Sequence, residues 1–392
     1  MRQKTLKKVY LDYAATTPVH PRALKKMLPY FSEKFGNTMS LYELGQEAKT
    51  ALEESRGTIA KHLKARSEEI IFTGSATESN NLALKGTALA NRKKGNHIII
   101  SSIEHPCIME SGRWLEGQGF KVTRLPVDRY GLVQPTELEK AIKKETILVS
   151  IIHASNEIGT IQPIERLAKR AKRKKKEIYF HTDAVQSFSK LPIDVNKMGI
   201  DLLTASSHKI YGPKGAAFLY IKKGVRIEPL LHGGGQEMGL RSSTVNVPVI
   251  VGFAEAVKIT HKIMKKEGAR LSRLRDYLIS RVLKEIPCSS LNGHPLKRLP
   301  NNINFSFDYV EGESIVIQLD MEGISVSTGS ACSSSKLQAS HVLRALGLSP
   351  EKAHGSLRIT LGLWTRKSEI DYLLKVLPGI IENLRRLSPI KK

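Results

Sequence analysis

The sequence predicts an α/β fold in which a large, mainly parallel seven-stranded sheet is followed by a smaller α+β domain. Three observations carry the prediction. Short apolar runs alternate with helical patterns over residues 15–260, which is how a parallel sheet covered by helices on both faces is encoded. A long helical pattern then runs from Val249 to about Lys284, with apolar residues at helical spacing. After it, strand-like and helix-like segments mix without regular alternation.

The seven strand-like runs, in chain order, are "EIIFT" (69–73), "HIIIS" (97–101), "KVTRLPV" (121–127), "ILVSIIHA" (147–154), "EIYFHTDA" (177–184), "DLLTASS" (201–207) and "AAFLYI" (216–221). Helix-like segments at 79–92, 136–144 and 163–173 lie between several of them. In the C-terminal third, "NNINFSF" (301–307), "ESIVIQLDM" (313–321) and "GSLRITLG" (355–362) read as strands. Residues 339–345 and 368–386 read as helices. The expected division is a large domain over 15–260 and a small one made of 1–14 and 261–392, bridged by the long helix rather than by a flexible tether.

Composition narrows the class. The chain has 392 residues, 41% hydrophobic and 25% charged, as globular proteins do. No run of about 18 apolar residues exists, so no membrane helix is expected. The start, "MRQKTLKKVYLDYAATTP", lacks the apolar stretch of a signal peptide, and a cytoplasmic protein is expected. The three cysteines, Cys107, Cys288 and Cys332, are scattered and never in C-x-x-C spacing, which supports neither a disulfide framework nor a zinc site. Net charge is +25, and "AKRAKRKKKE" (168–177) holds seven basic residues. No aromatics interleave with them, so the block reads as a solvated helix end. Direct nucleic-acid binding is not expected; acidic partners stay open, because such a field speeds encounter.

Several common chemistries drop out. G-x-G-x-x-G, the P-loop and H-E-x-x-H are all absent. "HGGGQ" (232–236) matches part of an esterase oxyanion loop, but no G-x-S-x-G supplies a serine. What remains is a set of polar residues at strand ends. "IIFTGSATESNN" is a strand, a glycine turn, then Ser75, Ala76 and Thr77 opening a helix, where free N–H groups make an anion site; plain N-capping is the alternative. Asp183 ends "IYFHTD", where α/β sheets place ligands, or caps a loop. "TASSHKIYGPKG" ends a strand on Ser206, Ser207, His208 and Lys209, a position that leaves a lysine poorly hydrated. An anion cup, an acid two strands away and a lysine one strand further are what pyridoxal phosphate requires. His105, just past a strand, can stack on a flat ring, and Asn156 lies at another strand end.

With these motifs in order, the chain resembles the cysteine desulfurases of the NifS/IscS kind, pyridoxal-phosphate enzymes of transferase fold type I, the aspartate-aminotransferase fold. "VYLDYAATTPVHP", "GSATESNNLALKG", "EHPCIMES", "HASNEIGTIQP", "HTDAVQS", "SSHKIYGPKG", "GGGQEMGLRSSTVNVP", "STGSACSSS", "SHVLRALGL" and "LRITLG" carry the resemblance over nearly the whole chain. It implies that Lys209 holds pyridoxal 5'-phosphate covalently, that Asp183 keeps its pyridinium nitrogen protonated, and that His105 stacks on the ring and serves acid-base catalysis. Gln186 would bond the phenolic oxygen, and Asn156 would contact cofactor or substrate. Thr77, Ser206 and His208 would take the phosphate, with Ala76 alongside, and Thr244 would reach the phosphate of a neighbouring subunit in a homodimer. Arg358 would pair with the substrate carboxylate.

The resemblance also explains "STGSACSSSK" (327–336), where Cys332 sits among small residues that restrict the backbone little. It implies that Cys332 takes sulfur from L-cysteine as a persulfide, leaves L-alanine, and passes the sulfur to an acceptor such as an iron–sulfur scaffold or a tRNA-thiolation enzyme. Cys332 could also transiently ligate an iron–sulfur cluster shared with such a scaffold. Cys107 and Cys288 are expected to be structural. Selenocysteine lyase activity, or a donor dedicated to tRNA thiolation, are the alternatives. The chain departs from the family pattern at Thr38, Met39 and Tyr42, and at Met238 and Ser243; it ends at "LSPIKK", which leaves the acceptor open.

Overall fold

The computed structural model describes residues 8–329 and 339–388, and twelve strands lie among them in three sheets. The first, β1 (Val9–Tyr10), precedes the large sheet. That sheet consists of β2 (Ile70–Thr73), β3 (His97–Ser101), β4 (Lys121–Leu125), β5 (Thr146–Ser150), β6 (Tyr179–Asp183), β7 (Leu202–Ser206) and β8 (Ala217–Ile221). All seven expected runs are strands. Their spatial order is β2-β8-β7-β6-β5-β3-β4. The pairs from β7 through β4 are parallel, while β8 runs antiparallel to both its neighbours.

The burial of this sheet explains its sequence. β2, β3, β5, β7 and β8 are buried at every position, so their runs are continuously apolar rather than alternating. The edge strand β4 is only partly buried and exposes Lys121 and Arg124, charges that discourage pairing with another chain. One face packs Ile99, Val149, Phe180 and Phe218 against Ile164 and Leu167 of the helix Ile164–Lys174. Each fully buried side chain of this size contributes about 1.5–3 kcal/mol.

The remaining strands are β9 (Ser289–Leu291), β10 (Asn302–Phe307), β11 (Ile324–Ser325) and β12 (Ser356–Thr360). β12, β10 and β9 form an antiparallel sheet, and β1 pairs in parallel with β11. A second core of Ile303, Phe305, Leu357, Ile359 and Leu373 covers it. The helix Val247–Glu285 enters both cores, burying Phe253 and Val257 in the first and Leu271, Leu278 and Val282 in the second. At 39 residues it is about 58 Å long.

Two expectations are corrected. The segment "ESIVIQLDM" is not a strand but the helix Gly312–Met321. Ile315 and Leu319, one turn apart, are buried, whereas Ile317 and Met321 are exposed; packing on that single face overrides the β-branched run. The spatial order of cup, acid and lysine also differs. Because β8 inserts between β2 and β7, the lysine strand lies nearer the cup than the acid strand β6.

Candidate active site

A cavity of about 460 Å³ opens at the C-terminal ends of the parallel strands. Ala76, Thr77 and His105 line it, as do Asn156, Asp183 and Gln186. Ser206, His208, Lys209 and Arg358 complete the wall. Residues that span most of the chain therefore converge on one volume. Thr244 does not; it is exposed, away from this cavity. Cys332 lies outside the described residues, but Gly329 on one side of that segment and His341 on the other both line the cavity.

Asp183 is the last residue of β6 and is buried. Its Oδ1 accepts from the backbone N–H of Val185 at 2.9 Å, and its Oδ2 from Asn80 Nδ2 at 2.7 Å. Both oxygens are thus held. Lys209 closes the short turn Ser207–Lys209 after β7, and its ammonium donates to the carbonyl oxygens of Ala14 and Ala15 at 2.7 and 2.6 Å. Gln186 Nε2 donates to the same Ala14 oxygen at 3.0 Å. Behind it, Lys190 donates to the Gln186 backbone oxygen at 3.0 Å. Burial, then the charge of Lys209, pulls Lys190 down to about 7.

His105 caps the helix Pro106–Gly117, its Nδ1 accepting from Cys107 N–H at 3.2 Å. Burial holds its ring below the ordinary histidine value, opposed by Asp183 and aided by Lys209 and His341. Burial and the charges of Lys209, Lys214 and Lys190 pull His208 down to about 4. Both rings are therefore neutral near pH 7. Cys107 lines the cavity too, yet burial pushes its thiol up to about 12, which leaves it inert.

Ser75 caps the helix Ala76–Asn81 by accepting from Glu78 N–H at 3.1 Å, so for this hydroxyl the capping alternative holds. Arg358, on β12, is buried and donates to Asp12 Oδ1 at 2.9 Å and to the Asn156 carbonyl at 3.3 Å. The Ser327 and Arg358 backbones also pair, which ties the described start of the cysteine segment to β12. The segment before Thr244 is pinned by a buried pair: Glu237 accepts from Arg56 at 2.7 and 2.9 Å and from Phe72 N–H at 2.7 Å.

Sequence reasoning missed several neighbours. Asn80 and Lys190 orient site residues through hydrogen bonds that no motif announces. Two buried acids also flank the site: burial pushes Glu104 up to about 8 and Glu157 up to about 7. Glu104 immediately precedes His105, and Glu157 follows Asn156; an acid beside a picked residue was the only available signal.

The residues fit pyridoxal phosphate. The donor set offers an acid, a lysine, a neutral imidazole and a hydroxyl-rich cup in one cavity of suitable size. Asn80 contributes a buried amide oxygen with no partner.

Comparison with known proteins agrees with this geometry. The fold and cavity define a class-V aminotransferase: the family described as "Aminotransferase class-V" matches residues 9–373. A protein named cysteine desulfurase IscS from Dictyoglomus turgidum is 54% identical over 386 residues, covering 98% of each chain. Another from Methanosarcina thermophila is 52% identical, covering 98% of this chain and 94% of its own. A solved NifS-like protein superposes with a TM-score of 0.91 at 40% identity, covering 96% of this chain and all of that one. SspA, solved in complex with cysteine, gives 0.79 at 38% identity, covering 90% of this chain and 99% of that one. The chain belongs to the cysteine desulfurases of the class-V aminotransferase family.

Proposed function

We propose that this chain binds pyridoxal phosphate and converts L-cysteine to L-alanine, taking the sulfur on Cys332 for transfer to an acceptor protein. The observation that carries the reading is the convergence of Lys209, Asp183, Gln186 and His105 with Arg358 on one cavity, flanked by both ends of the Cys332 segment. The reading places the catalytic cavity in residues 15–260, with 1–14 and 261–392 supplying Arg358 and Cys332.

The cofactor, when bound, supplies an electron-poor ring that delocalises the electron pair left at Cα. Lys209 would anchor it, and the same amine would take the Cα proton of the bound substrate. Asp183, with both oxygens already held, would pair with the ring nitrogen and keep it protonated. Thr77, Ser206 and His208 would hold the phosphate, neutral His208 as a donor that adds no charge. Arg358 takes the substrate carboxylate, partly exchanging its Asp12 partner. The Cys332 thiolate attacks the substrate sulfur; an S–S bond forms as the Cβ–S bond breaks, Cβ takes up a proton, and the proton that Lys209 took returns to Cα to give alanine. His105, neutral, can first accept the substrate thiol's proton and then return it to Cβ.

Exposed Phe31, Phe35, Met39, Leu41, Tyr42 and Met238 support a homodimer, in which Thr244 reaches the partner's phosphate site. The test is alanine production from L-cysteine with a thiol acceptor, together with mass spectrometry of the Cys332 peptide. The wild type should form alanine and gain one sulfur at Cys332; Cys332→Ala should lose alanine production. Equal turnover by Cys332→Ala on L-cysteine refutes the sulfur-carrier role. Loss on cysteine with retention on selenocysteine supports desulfuration over a lyase.

A further inference from the structure

Apart from the catalytic cavity, a second and larger groove of about 1290 Å³ lies against the helix Ile164–Lys174. The two have no lining residue in common. The helix buries Ile164, Leu167, Ala168 and Ala171 on the sheet. Arg166, Lys169, Arg170 and Arg173 all line the groove. Their i, i+3, i+4, i+7 spacing is the one that aligns side chains on one helical face, here entirely cationic. Lys61, Lys197 and Lys258 reach the groove from other elements.

Internal partners neutralise part of this charge. Lys169 pairs with Glu165 at 2.6 Å, Arg170 with Glu139 at 2.5 Å, and Lys64 with Asp194 at 2.9 Å. Arg166, Arg173, Lys61, Lys197 and Lys258 have no carboxylate within ion-pair distance among the described residues. The floor is apolar, formed by Phe188, Leu191 and Ile193. Ser189, on the same turn, lines the groove with φ 57° and a buried hydroxyl that has no partner.

Charge and shape together select the occupant. The apolar face proposed above for a second copy, Phe31 to Tyr42 with Met238, shares no residue with this groove. A nucleic-acid backbone needs a continuous track of cations along its phosphates. Here two cations of the basic run are turned away from the groove: Lys172 pairs with Asp201 at 2.7 Å, and Lys175 donates to the carbonyls of Lys144 and Thr146 at 2.6 and 2.8 Å. A recessed apolar floor between cationic walls suits a peptide with both acidic and apolar side chains. We propose that this groove docks an acidic, partly apolar segment of a partner protein, its carboxylates on the Arg166–Arg173 stripe and its apolar side chains on the Phe188–Ile193 floor.

The test uses the full-length protein and two fluorescein-labelled peptides, one of Glu and Leu in helical alternation, the other of Glu and Ser. Binding is read by anisotropy at low and physiological salt, with unlabelled tRNA as competitor. The variants are Arg166→Glu with Arg173→Glu, and Arg166→Gln with Arg173→Gln; unchanged melting temperature certifies the fold, and both changes are at exposed positions. The Glu-Leu peptide should bind the wild type, about tenfold or more weaker to the Glu pair, and with intermediate affinity to the Gln pair. Equal binding to wild type and both variants overturns the proposal. So does equal affinity for the Glu-Ser peptide, because the floor then takes no part. Displacement by tRNA that is abolished in both variants reassigns the groove to nucleic acid.

Discussion

Asn80 donates its side-chain amide to Asp183 Oδ2 at 2.7 Å, tying the helix after β2 to the acid at the end of β6. Removing that donor leaves a buried carboxylate oxygen short of a partner, at a cost of about 1.5–3 kcal/mol for a charged group. Asn80→Ala should therefore weaken pyridoxal-phosphate affinity by roughly 10- to 100-fold. Fluorescence titration of the cofactor-free protein measures it, and unchanged affinity would mean that Asn80 does not position the acid.

The Arg56–Glu237 pair is buried on both sides and reaches the backbone of Ile70 and Phe72. Breaking it by Arg56→Met should cost about 3–5 kcal/mol, since Glu237 is then a buried unpaired charge. The double change with Glu237→Gln should recover part of that loss. Guanidinium denaturation of all three proteins reads the difference.

Glu104 supplies a pH dependence whose sign follows from its burial. Its folded-state value, about 8, lies above that of an exposed glutamate. The folded protein therefore holds a proton that the unfolded chain has already lost, and stability falls as pH rises from about 4.5 toward 8. Glu104→Gln should flatten this slope, so the variant gains on the wild type by a few kcal/mol at pH 9 relative to pH 5. Parallel melting curves across that range would contradict it.

Cysteine reactivity should follow environment rather than proximity to the cavity. Iodoacetamide at pH 8 should alkylate exposed Cys288 and spare Cys107, whose thiol stays protonated. Peptide mass spectrometry distinguishes them. Cys107→Ala should keep most alanine-forming activity, in contrast with Cys332→Ala.

Local sequence revealed the large sheet because most of its strands are buried on both faces and so read as apolar runs. Lys209, Asp183 and His105 were visible because each stands at or just beyond a strand end. The helix Gly312–Met321 was not, because Ile315, Val316 and Ile317 in succession mimic a strand until the packing face is known. Asp12, Asn80 and the Ala14 and Ala15 carbonyls escaped for another reason. They meet Arg358, Asp183 and Lys209 across separations of 346, 103, 195 and 194 residues, and such contacts leave no local pattern.

The most direct test is the visible absorption spectrum of the protein loaded with pyridoxal phosphate, before and after L-cysteine, beside Lys209→Ala treated identically. The account predicts a visible band in the wild type that shifts on adding L-cysteine while alanine accumulates, and no such lysine-dependent band in the variant. A wild type that stays colourless after incubation with the cofactor, or a variant with the same band and the same alanine yield, would contradict it.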